Sequence, residues 1–249
     1  MKNLVYLSMF LSTMLITFAS CGSDFTQEDN PIEVKNDNQS FTIHVLYGEK
    51  DYYSQCELLG DSLIIEDQTL NSLIDNIFVN NNNVQTYLHP DGTIEYFDNK
   101  EKFQAKYPFE EIQGSEMEQT KIPKTKANYY DQFDGYAQMY ADPNFEGLMV
   151  DAVNIYQRVP QQFTIPHDLF QKISSIKIYG SYDDPRVYSV LVCYDETSYQ
   201  GYTLTTFAKK WAPHTIPDLR TIPYGKNGNW NDRICSVRFS VKIYDPFKP

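Results

Sequence analysis

The chain has 249 residues, with 33 Asp and Glu against 21 Lys and Arg and a formal net charge of −12. That length suits one large domain or two small ones, and the charge excludes a nucleic-acid binder, because phosphates demand a basic face. The 20 Tyr and 15 Phe suit a β-rich fold, and an acidic surface is compatible with cations but is ordinarily a solvated face.

At the amino terminus Lys2 precedes an apolar run from Leu4 to Phe18, too short for a spanning helix. The run ends Phe18-Ala19-Ser20-Cys21, which resembles a bacterial lipobox, with Phe18 a mild departure. The resemblance implies that residues 1–20 are a lipoprotein signal peptide and that Cys21 is lipidated. An ordinary secretory signal followed by a chance Cys is the other reading. Each buried acyl CH₂ contributes about 0.8 kcal/mol, so several chains anchor firmly. Residues 21–40 are polar and read as a flexible tether. Its early acids, Asp24, Glu28 and Asp29, resemble those that accompany display on the outer face of the outer membrane.

Residues 41–108 read as a small α+β domain. Phe41–Tyr47 and Tyr52–Leu58 flank a turn at Gly48, and Ser62–Ile65 is a third strand. Leu70, Leu73, Ile74, Ile77 and Phe78 share one helical face, and Asn80–Asn83 end that helix. Gln85–Leu88 and Thr93–Phe97 flank His89-Pro90-Asp91-Gly92, a hairpin. Asp98 with Glu101 reads as a capping box for a short helix that stops at Tyr107-Pro108. Residues 109–128 are polar and carry Pro123, and read as a linker.

Beyond it the chain says nearly the same thing twice. Tyr140, Phe145 and Gly147 recur as Tyr194, Tyr199 and Gly201, and Ile173-Ser174-Ser175-Ile176 recurs as Ile234-Cys235-Ser236-Val237. The alternation before each Tyr suits a half-buried strand. The polar segment after it folds back as a hairpin tip, the paired aromatics staple it, and each Gly supplies a positive φ or a close approach. Leu148–Val153 and Tyr202–Phe207 are the returning strands, and strands from Ser175 and Ser236 close each unit. Four short strands used twice make an all-β, double Greek-key sandwich over residues 129–249.

On these residues the chain resembles the βγ-crystallin family from roughly Tyr130 to Tyr244. Calcium-binding members carry Asn/Asp-Asn/Asp-x-x-Ser/Thr-Ser at the late arch of each unit, and the two arches exchange ligands. Here the second arch reads Asn231-Asp232-Arg233-Ile234-Cys235-Ser236 and the first Phe170-Gln171-Lys172-Ile173-Ser174-Ser175. The resemblance implies one weak Ca²⁺ site from Asn231, Asp232 and Ser174, whose hard oxygens suit that ion. Gln171 with Cys235 would form the other, and a neutral thiol is a poor calcium ligand. Two degenerate arches kept for structure are the alternative.

No enzyme signature is present: no His-Glu-x-x-His, Gly-x-Ser-x-Gly, phosphate-cradling loop or Cys-x-x-Cys. His44, His89, His167 and His214 are scattered, and Ser174-x-x-Lys177 is a strand start. Beyond Cys21 stand Cys56, Cys193 and Cys235; Cys193 and Cys235 form a possible disulfide or are two inert core thiols. The sequence therefore points to a non-enzymatic surface lipoprotein with a structural or binding module, linked to the membrane by its anchor. A glycan or protein partner recognised through exposed aromatics is the rival reading, and a protease-inhibitor role follows from fold analogy alone. Exposure of Trp211 and Trp230 would favour recognition; their burial would favour structure.

Overall fold

Alternate side chains of Val187–Tyr194 and of the strand opening at Ser236 face one interior, burying Leu191, Cys193, Val237 and Phe239 completely. The same alternation recurs through two sheets in the computed structural model. It describes residues 39–111, 135–154, 161–166, 168–180, 187–210, 212–225 and 228–244. The expected signal peptide, residues 21–38 of the expected tether including Cys21, and most of the expected linker lie outside the described residues.

The first half contributes β1 (Gln39–Tyr47), β2 (Lys50–Leu59), β3 (Ser62–Ile65), α1 (Gln68–Asn80), β4 (Gln85–Leu88), β5 (Ile94–Phe97), α2 (Lys100–Lys106) and β6 (Phe109–Glu111). The second contributes β7 (Gly135–Asp142), β8 (Glu146–Asn154), β9 (Gln161–Thr164) and β10 (Ser175–Gly180). It continues with β11 (Val187–Tyr194), β12 (Thr203–Ala208), β13 (His214–Ile216) and β14 (Ser236–Tyr244). The larger sheet runs β3-β2-β1-β5-β4-β12-β11-β14-β6, with β9 also on β14; the smaller runs β13-β10-β7-β8.

The duplicated half obeys one rule twice. In each unit the first strand lies between the second and the fourth: β8-β7-β10 and β12-β11-β14. The third strand crosses over, so β9 pairs with β14 and β13 with β10. Each unit thus completes the other's sheet, and neither buries its apolar face alone.

The local signals in the first half fold as their chemistry dictates. Asp67 caps α1, its carboxylate accepting from the N–H groups of Thr69 and Leu70 at 2.7 and 3.2 Å, and the apolar stripe buries Leu70, Ile74, Ile77 and Phe78. The cap of α2 is displaced by one residue from the expected Asp98. Asn99 accepts from Lys102 N–H at 2.9 Å, while Asp98 is held by the Tyr47 hydroxyl at 2.7 Å and by Lys102.

The expected division into two separate domains does not hold for the described residues, which belong to one compact unit. β4 pairs in parallel with β12, from Gln85 opposite Thr203 to Leu88 opposite Thr206, so the two halves share a sheet. The segment after β12 seals the junction. Tyr96 donates to the Pro223 carbonyl at 2.9 Å, Tyr202 to that of Phe78 at 2.9 Å, and Asn229 to that of Asp61 at 2.7 Å. Part of the expected linker is also sheet, because β6 pairs with β14.

Candidate functional site

The two hairpin tips set the geometry. Asn144, Phe145 and Gly147 have φ of 58°, 67° and 76°, and Ser198, Tyr199 and Gly201 repeat them at 64°, 61° and 81°. A Cβ on Gly147 would stand 2.2 Å from Asp142 Oδ2, and one on Gly201 would stand 2.1 Å from Asp195 Oδ1. Only glycine fits there. Tyr140 meets Phe145 edge to face at 5.8 Å, and Tyr194 meets Tyr199 at 5.9 Å.

The late arches are matched as closely. Gln171 and Asp232, which occupy equivalent places, have φ of 54° and 56°. Asp232 N–H donates to the Ile173 carbonyl at 3.2 Å, so the second arch lies against the first. This brings Ser174 and Asp232 to one hollow, near enough for the Ser174 hydroxyl to favour the Asp232 carboxylate, and sets Gln171 near Cys235, whose thiol donates to the Arg233 carbonyl at 3.5 Å. Ser174 and Asp232 thus come from different arches to the same hollow.

Around Asp232 and Ser174 is a hollow of about 330 Å³ that Asp61, Asp142 and Asn231 also line. Partial desolvation holds the Asp232 carboxyl above its ordinary range, the carboxylates of Asp61 and Asp142 push it the same way, and Ser174 opposes them. Asn231 Oδ1 is buried without a hydrogen-bond partner. A cation would relieve the crowded negative charge and supply the missing partner. Lys172 and Arg220 also line the hollow and offset part of that charge; the Arg220 guanidinium forks onto Asp218 at 2.8 to 3.0 Å. Among the described residues, no group of three or more His, Cys, Asp and Glu side chains is placed to hold a metal. A cation here would depend on hydroxyl, amide and backbone oxygen for the rest of its shell. Sequence reasoning missed Asp61 and Asp142. Their signals were the Gly60-Asp61 break and the Asp142-Pro143 hairpin opening.

The disulfide alternative is not realised. Cys56, Cys193 and Cys235 are buried free thiols. Sheet register sets Cys193 opposite Val237, two residues past Cys235, and burial pushes both of these thiols up.

Each described histidine has a structural partner. His44 stacks on Tyr53 at 4.3 Å and meets Asp51 at 2.7 Å. His89 meets Glu95 at 3.0 Å, and His214 Nδ1 lies 2.5 Å from Thr206 Oγ1. Thr206 is fully buried, so that last pair is closed to a substrate. Trp230 is also fully buried, against Tyr224, which favours a structural role for it; Trp211 and His167 lie outside the described residues.

No family model, curated protein or solved structure matches the chain.

Proposed function

We propose that this chain is a non-enzymatic, lipid-anchored surface protein whose second half is a βγ-crystallin-like double Greek-key module with one weak calcium site. The reading is supported above all by the meeting of the two arches, where Ser174 and Asp232 line one hollow and Asp232 N–H donates to the Ile173 carbonyl. It joins the two side chains that a ligand-exchanging calcium arch would bring to one ion. Asn231 supplies a further amide oxygen, and the hollow leaves room for backbone carbonyls and water. The Gln171–Cys235 pair offers no carboxylate and only a thiol, so it is the relic of a second site.

With so few charged ligands the affinity belongs in the extracellular-module range, roughly 10⁻⁴ to 10⁻³ M. Saturating calcium at about 100 times the dissociation constant stabilises the fold by about 2.7 kcal/mol. Melting of the full chain is therefore expected to rise with millimolar calcium and not with magnesium, which demands tighter octahedral geometry. Asp232→Ala should remove the shift and Ser174→Ala should reduce it. An unchanged melting point at roughly 10 mM calcium, tenfold above that affinity range, would falsify the site.

The anchor is proposed on the Phe18-Ala19-Ser20-Cys21 resemblance. Cys21→Ser should leave folding intact and release the protein from the membrane fraction. Retention of that variant in the membrane would remove the anchor from this reading.

A further inference from the structure

Equivalent positions on the outer faces of the two sheets are filled differently. On the smaller sheet Tyr136 and Tyr179 stack at 4.4 Å and cover the face of β7 and β10. Lys177 Nζ sits 4.2 Å above the Phe145 ring beside them. The repeat aligns Tyr136 with Val190, each four residues before the first hairpin aromatic, and Tyr179 with Ser240, each four after the arch serine. The larger sheet therefore lacks both rings where the smaller sheet has them.

A cleft of about 680 Å³ lies over that face, within the size range of small-molecule sites. Its floor is the outward row of β11, β12 and β14, with Val190, Val192, Thr203, Thr205 and Ser240. The first half of the chain builds one wall from α2 with Phe103 and Tyr107, and the hairpin Glu196–Gly201 contributes the rim at Tyr199. α2 is fastened there by a buried carboxylate: Glu95 takes hydrogen bonds from Tyr107 at 2.9 Å and Lys106 at 2.5 Å.

Two floor hydroxyls carry the inference. Thr203 and Ser240 are 3 % and 1 % exposed, and Thr203 Oγ1 and Ser240 Oγ are buried without a hydrogen-bond partner. Leaving such a group unmade costs about 1 to 3 kcal/mol. It is an arrangement suited to a ligand that brings its own polar groups. The cleft's ionised groups are nearly balanced, Lys100, Arg238 and Lys242 against Glu101 and Glu196, which selects no strongly charged ligand. Neutral groups dominate instead: Asn82, Asn83, Gln104 and Gln200 line the same space, while Asn99 caps α2 and Gln85 donates to the Asn83 carbonyl. Each amide both donates and accepts, as a vicinal diol does, and Tyr107, Tyr194 and Tyr199 add aromatic surface to the lining.

We propose that this cleft binds a short, neutral oligosaccharide, seated on Thr203 and Ser240 and flanked by Tyr107 and Tyr199. The site is separate from the calcium arch and does not depend on it.

The test is binding of the labelled full chain to an array of microbial, plant and host glycans, followed by calorimetry with the free form of any bound glycan. Binding to a neutral glycan is expected. Ser240→Tyr, which places at this position the residue that the other unit carries, should abolish it in protein that still melts cooperatively, with the melting temperature lowered by overpacking at this buried position. Thr203→Val removes one unpartnered hydroxyl and should weaken binding at least tenfold while leaving the ligand-free melting temperature unchanged or raised. No binding across the array overturns the proposal, as does a glycan that binds both variants like the wild type. Selective capture of peptides through this cleft, with glycans ignored, would also overturn it. Asp232→Ala included in parallel separates this site from the arch, because its glycan binding should be unaffected.

Discussion

Ser175 and Ser236 make the same two hydrogen bonds in the two halves of the sandwich. Ser175 Oγ donates to the Asp142 carbonyl at 2.7 Å and accepts from Phe145 N–H at 3.0 Å. Ser236 Oγ donates to the Glu196 carbonyl at 2.7 Å and accepts from Tyr199 N–H at 3.2 Å. Both N–H groups belong to positive-φ residues, which cannot pair within a strand ladder. Ser175→Ala and Ser236→Ala should therefore each cost about 1 to 3 kcal/mol by leaving a backbone donor unmade. The two serines share no partner, so the double variant should lose about the sum. Urea denaturation reads this directly, and a neutral Ser236→Ala would show that the hairpin is held by its aromatics alone.

The repeat was legible because its constraints are local. A Gly that must take positive φ, an aromatic pair on either side of a tip and a serine that ties down the tip each demand one residue type at one spacing. The helix α1 was legible for the same reason, from its apolar stripe and Asn-rich end. The joining of the two halves was not. Parallel pairing of β4 with β12 depends on backbone groups that every residue carries, and strands far apart in sequence leave no periodic trace of their partner. The segment after β12 has no regular alternation to read, yet it carries the buried Trp230, Leu219 and Ile222. At the arch the nearness of Ser174 and Asp232 was an expectation drawn from the resemblance. Asp61 enters from the other half of the chain, and only the fold brings it near.

Acid should weaken the fold in two separable windows. Burial pushes the His214 imidazole down to about 4 from its ordinary 6.5, with Asp91 opposing and His89 reinforcing. A histidine kept neutral in the fold but protonated when unfolded contributes fully above pH 6.5, and that contribution is lost as pH falls from 6.5 towards 4. The loss is about 3 kcal/mol, an order-of-magnitude figure. His214→Asn should flatten the stability profile across this window.

Glu95 acts lower. Burial raises its carboxyl, but hydrogen bonds from His89, Lys106 and Tyr107 outweigh that and hold it below 4.5. Its contribution is present above pH 4.5 and lost below, as protonation removes the anion that α2 clasps. Glu95→Gln should reduce the slope below pH 4.5, where Asp91 and Asp98, also held low, still contribute, and leave the histidine window unchanged. A profile from pH 7 to 3 that is identical in wild type and both variants would contradict both assignments.

The thiols give a mass-spectrometric check of the core. Cys56 and Cys193 are fully buried and Cys235 is 3 % exposed, and burial raises the Cys56 thiol to about 11. Native iodoacetamide should therefore leave all three unmodified, because the thiolate is the reactive form. Denatured without reductant, the chain should take up label at Cys56, Cys193 and Cys235 together. Protection of Cys193 and Cys235 from label until reductant is added would reinstate a bridge between them.

The degenerate arch can be repaired, and the repair tests the calcium reading from the side opposite to removal. Gln171 stands where Asp232 stands in the other arch, with φ of 54° against 56°, a conformation that Asp tolerates better than most residues. Cys235 stands where Ser174 stands, and Gln171 is near enough to favour its thiolate. Gln171→Asp with Cys235→Ser would place a carboxylate and a hydroxyl across the arches in the arrangement of Asp232 and Ser174. Asp195 and Asn229 lie in the hollow alongside, with Arg233 the opposing charge. Calcium titration by calorimetry should give one weak site in the wild type and two in the double variant. Gln171→Asp alone should fall between, because it supplies charge without the hydroxyl. The added carboxylate, crowded by Asp195, should lower stability in chelator and restore it in calcium, so the melting shift on adding calcium should exceed that of the wild type. A double variant that folds normally yet takes up no more calcium than the wild type would mean that the meeting of Ser174 and Asp232 is a structural contact and not half of an ion site.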